Sequence, residues 1–138
     1  MLKREINSML IEQIKLFNQL EESLCEQKRC VKENKLFELD RIGIEIDNIC
    51  KNIAEIELKL RKSLGKDKIK DFVMKNKDDN ELYESYIFLV SQAEKLSLMK
   101  NDNQFLIKKS LSFINKLLSS INNTTNNKPN VYTRNITY

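Results

Sequence analysis

The chain has 138 residues, 41% hydrophobic and 32% charged, with a net charge of +4, a balance that fits one soluble helical domain. Its longest clean apolar run, Tyr86-Ile87-Phe88-Leu89-Val90, falls far short of the roughly 20 residues of a membrane span, and Met1-Leu2-Lys3-Arg4-Glu5 opens no signal peptide. Histidine is absent and only two glycines occur, which removes the usual general base, the commonest metal ligand and a phosphate-cradling loop; the expectation is a cytoplasmic, non-enzymatic protein without cofactor, metal or membrane insertion.

The first stripe runs Ile6, Leu10, Ile14, Phe17, Leu20, Leu24, the spacing of one face of a helix. Carried forward, its phase lands on Lys28, Lys35 and Glu38, while the intervening segment from Glu26 to Lys35 has too little apolar surface to bury. The spacing therefore predicts a reversal near Glu33 and Asn34 and an antiparallel hairpin, although no Gly or Pro marks the turn; one bent helix of about 60 residues is the competing arrangement. Cys25 and Cys30, about 140° apart at about 100° per residue, do not share a helix face. With Cys50 they make an odd set, which points to reduced thiols.

Leu39, Ile42, Ile46, Ile49, Ile53, Ile56 and Leu60 alternate spacings of three and four without interruption, the seam of a long bundle or coiled coil. Arg61 and Lys62 suit the negative end of that helix, and Gly65 supplies its stop. Ile69, Phe72 and Val73 then predict a short amphipathic helix capping the hairpin. Asp78, with Glu81 three residues on, resembles a capping box opening the last helix.

From Leu82 the register continues through Tyr86, Leu89, Ala93, Leu96, Lys100, Asn103, Ile107, Ser110, Ile114, Leu117 and Ile121. A continuous helix over 79–121 would measure about 65 Å, against about 45 Å for each of the first two, so apolar surface on it would lack a partner in the monomer. Ile107, Leu111, Ile114, Leu118 and Ile121 form the candidate binding stripe, with packing inside the monomer as the alternative. Lys100, Asn103 and Ser110 stand where the seam should be dry; they mark either a break near residue 100 or, at Asn103, a register-setting polar position.

The fold expected is all-α: an elongated antiparallel bundle of three long helices plus a short one over residues 1–121, with a flexible tail over 122–138. Asn122 to Asn130 lacks apolar residues and carries Pro129, too little to offset chain entropy, and leaves Val131, Tyr132, Ile136 and Tyr138 as adhesive groups on a tether. Lys128 and Arg134 lie in that tail, so 22 of the 24 basic residues face 20 acidic ones before it. No clustered basic face is left for nucleic acid.

Three segments resemble the FlgN-like flagellar export chaperones. "CVKENKLFELDRIGIEIDNICKNIAEIELKLRKSL" is similar to that family's turn and following helix, "NDNQFLIKKSLSFINKLLSSI" to its late helix, and the C-terminal segment with Tyr132 to its tyrosine-bearing end. The family often has a glycine a few residues after the tyrosine, and "YTRNITY" has none. The resemblance implies a chaperone for the helical ends of the hook–filament junction proteins FlgK and FlgL, with the late helix on substrate and Tyr132 docking at the cytoplasmic domain of the export gate. The competing reading is a coiled-coil adaptor or scaffold unrelated to flagella, forming a homo-oligomer through the late helix.

Overall fold

The computed structural model describes residues 2–125, with side chains through 121. Among them are α1 (Leu2–Lys32), α2 (Leu36–Leu64), α3 (Ile69–Lys75) and α4 (Asn80–Thr125), and no strand. The all-α arrangement of three long helices and a short one is therefore present. No helix among the described residues is long and apolar enough to cross a membrane.

The turn that lacked glycine is made by Asn34, whose φ of 55° is left-handed. Its N–H donates to the Val31 carbonyl and the Lys35 N–H to the Cys30 carbonyl, at 3.2 and 2.9 Å, the paired bonds of a Schellman stop. Asparagine tolerates that conformation better than other side-chain-bearing residues do. The reversal at Glu33 and Asn34 is thus real, and the single bent helix is excluded. Arg29 ties the turn from outside through ion pairs with Glu26, Glu33 and Glu38. At the other end Gly65, φ 66°, closes α2 with its N–H on the Arg61 carbonyl.

The α2 stripe faces inward as its spacing predicted: Ile42, Ile49, Ile56 and Leu60 are buried, and Leu39, Ile46 and Ile53 half-buried. Gln13 of α1 donates to the Ile53 carbonyl at 3.1 Å, crossing the hairpin. The base of the bundle is the apolar centre, where Ile6, Leu10, Ile56, Leu60, Phe72, Val73 and Leu82 cluster and α3 closes the end. Burial of Val73 at 0% exposure fixes that short helix, whose seven residues could not hold helical structure in water.

The cap of α4 is one residue later than the capping-box spacing suggested. Asp79, not Asp78, accepts the Leu82 N–H at 3.1 Å. From there α4 runs 46 residues without interruption, so the break considered near residue 100 does not occur. It also passes the expected end at Ile121 and reaches Thr125; the rest of the expected tail, with Tyr132, lies outside the described residues.

Helix α1 is the middle of the molecule: the backbones of α2 and α4 both run close along it and rarely approach each other, their side chains meeting around the apolar cluster of Ile56, Leu60 and Leu82. α2 runs antiparallel to α1 and α4 parallel to it. Asn7 pairs with Glu81, Asn18 with Gln92, Glu21 with Lys95 and Gln27 with Asn103, a constant separation of 74 to 76 positions.

Candidate docking surface

That register decides where α4 loses its neighbour. α1 ends at Lys32, which the separation of 74 to 76 places level with residues 106–108 of α4. The 17 residues from Lys109 to Thr125 then extend about 26 Å past the hairpin turn, at about 1.5 Å per residue.

Up to that level the α4 seam is filled from within. Leu82, Leu96, Asn103 and Ile107 are all buried. Asn103 is 2% exposed and spends its amide protons on the Leu24 carbonyl at 2.8 Å and Gln27 Oε1 at 3.0 Å. A buried amide with both donors used fits one alignment of the two helices, the register-setting role its position suggested. Lys100 escapes to solvent and Ser110 is half-buried.

The five residues of the sequence-derived stripe divide at this boundary. Ile107 is 8% exposed and lines a groove of about 350 Å³ beside Leu24, Leu39 and Ile46, so in the free chain it belongs to the internal seam. Leu111, Ile114 and Leu118 are half-buried beyond the end of α1, and Ile121 is 52% exposed. All five fall within about 80° of helix circumference at about 100° per residue, so the overhang continues the line along which α1 packs.

Three exposed residues were not in that stripe: Phe105 and Phe113, each 66% exposed, and Leu117, 52% exposed. The stripe followed one seam and ignored its flank, where Phe113 and Leu117 share a face at i, i+4. With them the apolar arc of the overhang widens to about 160°, more than one packed helix uses. A second signal is the charge: no Asp or Glu follows Asp102, while Lys108, Lys109 and Lys116 do.

Exposed apolar side chains also occur nearer the start of α4, where Ile87 and Phe88 lie beside Tyr83. Glu26, Cys30 and Glu38 bring ligand-type atoms within 4.8 Å of one another, but Arg29 already pairs with both carboxylates. Burial pushes the Cys30 thiol above its ordinary pKa, so it stays protonated.

The whole chain, residues 1–138, matches the family model described as FlgN protein. The chain belongs to the FlgN family. FlgN membership implies a chaperone of flagellar protein export. No curated protein and no solved structure matches the chain.

Proposed function

We propose that this FlgN-family chain is a cytoplasmic chaperone that holds the helical ends of the hook–filament junction proteins FlgK and FlgL along the distal part of α4 and delivers them to the export gate. The observation that carries this reading is the mismatch between α1 and α4: the seam filled by α1 as far as Ile107 runs on with Leu111, Ile114 and Leu118 after α1 has stopped. A partner helix laid there would take the place of a longer α1.

Full burial of a leucine, isoleucine or phenylalanine contributes roughly 1.5–3 kcal/mol. Completing the burial of Leu111, Ile114 and Leu118 and covering Phe113 and Leu117 therefore contributes substantially against an association cost of about 4–15 kcal/mol, and the apolar side chains of the partner helix supply the rest. Tyr132 is the residue proposed for gate docking, carried by the resemblance and by its place among a few apolar residues in a polar segment.

The test is co-expression with FlgK and FlgL from the same genome. Soluble complexes are expected with the native chain and none with Ile114→Asp plus Leu118→Asp, at unchanged helicity. Unfolding of that double variant would make these side chains core and remove the assignment. Truncation at Asn122 should spare the junction proteins and weaken the gate complex; equal gate affinity would remove the role of the C-terminal segment. A stable homodimer that the junction proteins do not disrupt would favour the adaptor reading.

A further inference from the structure

Upstream of the overhang, carboxylates are interspersed with the basic side chains on all three long helices; Arg29 pairs with Glu26, Glu33 and Glu38, Arg41 with Glu45, Arg61 with Glu57, and Lys95 reaches across to Glu21, while others such as Lys15 and Lys51 are in no ion pair among the described residues. The overhang differs in carrying no carboxylate side chain of its own. Lys108, level with the end of α1, and Lys109 and Lys116 beyond it are exposed, and no ion pair among the described residues includes them. Their helical neighbours four residues away are Gln104, Ser112, Phe105, Phe113 and Ser120, and the chain has no carboxylate side chain after Asp102. The apolar surface that outruns α1 thus lies on a stretch of helix whose charged side chains are all lysines, although the molecule carries a net charge of only +4.

We propose that the overhang of α4 selects an acidic amphipathic helical segment, seated on the continuation of the α1 seam and steered there by Lys108, Lys109 and Lys116. The inference rests on the docking reading above and adds the charge of the partner to it. Three features favour this occupant. The surface continues an existing helix–helix interface, so the geometry is that of a helix laid on a helix. Its unpaired lysines are complementary to carboxylates flanking an apolar stripe. A second copy of the chain would bring six such lysines together without a compensating acid in either overhang, which opposes self-association.

The lysines flank the stripe or lie behind it, so they act mainly at a distance. Fields of this kind raise association rates more than they slow dissociation, and they weaken as salt shortens the screening length to a few ångströms. The apolar residues hold the partner; the charges choose which partner arrives.

The experiment uses the full chain and two synthetic amphipathic peptides of about four heptads with the same Leu/Ile seam, one carrying Glu and the other Lys at its outward positions. At about 50 mM salt the acidic peptide is expected to bind roughly tenfold more tightly, chiefly through faster association, and the gap should close near 500 mM. Replacing Lys108, Lys109 and Lys116 together with Glu should reverse the preference without changing the thermal midpoint. Phe113→Ser with Leu117→Ser, at exposed positions, should weaken both peptides alike. Equal binding of the two peptides with a normal response to Phe113→Ser and Leu117→Ser overturns the charge inference and leaves the docking surface standing. Unchanged binding in that apolar variant overturns the docking surface itself. Binding to phosphatidylglycerol vesicles through the same lysines, with no peptide bound, overturns the choice of a helical partner.

Discussion

The side-chain amide of Asn103 meets the backbone carbonyl of Leu24 at 2.8 Å, a buried bond between residues 79 positions apart that locks α4 against α1. Its second proton goes to Gln27, so the length of α4 left uncovered is measured from this point. Sliding α4 by one turn would orphan a 2% exposed amide, and the cost of such an orphan, about 1–3 kcal/mol, is large beside ordinary helix packing preferences.

Asn103→Asp replaces the donor with a carboxylate facing the Leu24 carbonyl and should cost roughly 3 kcal/mol at neutral pH. Burial would raise the folded-state pKa of the new carboxyl above its unfolded value, so the penalty is full above the folded pKa. As pH falls through that pKa, the protonated acid can donate and the gap to wild type should shrink. Urea midpoints of both chains at pH 7.5 and 4.5 check the sign.

Asn34 should respond in opposite directions to two substitutions. Asn34→Val forces a β-branched residue into a left-handed conformation and should lose about 1–2 kcal/mol, whereas Asn34→Gly should be neutral or slightly stabilising. Equilibrium unfolding in urea separates the two, and equal losses would mean that the turn is not held as described.

Leu10 and Phe113 are both large and apolar, yet one is 0% and the other 66% exposed. Leu10→Ala should cost about 2–5 kcal/mol and Phe113→Ala no more than about 0.5 kcal/mol. Their thermal midpoints in the absence of any partner test whether the overhang contributes to the fold.

The three thiols should label at different rates. Cys30 is buried and its pKa is raised by that burial, so at pH 8 it presents little thiolate and little access. Cys25 and Cys50 are both exposed, but partial burial raises the Cys50 pKa, so Cys25 should react with a disulfide reagent first and Cys50 next, with Cys30 reacting only as fast as the hairpin end opens. Mass spectrometry of the labelled chain assigns each rate.

The sequence by itself determined the helices, because the forces that make them are local. Alternating spacings of three and four from Leu39 to Leu60 specify a buried face whatever the partner, and Gly65 ends the run through its own backbone freedom. The reversal was legible from two stripes out of phase, although not its device: asparagine accepts a positive φ more readily than other side-chain-bearing residues, but its presence at position 34 does not require one. The Asp78 cap was off by one because Asp78 and Asp79 are chemically alike and only the chain's path out of α3 chooses between them.

What only the tertiary structure decided is where one stripe changes its use. Ile107 and Ile114 belong to the same periodic row, and nothing local separates them. Ile107 is buried because α1 reaches its level, and Ile114 is not fully buried because α1 has already turned at Asn34. That boundary comes from contacts 74 to 79 residues apart, between Asn7 and Glu81 at one end and Leu24 and Asn103 at the other, and such distances enter no helical period. Periodicity shows which face of a helix is apolar, and how far a neighbour covers it depends on how two helices of unequal length align.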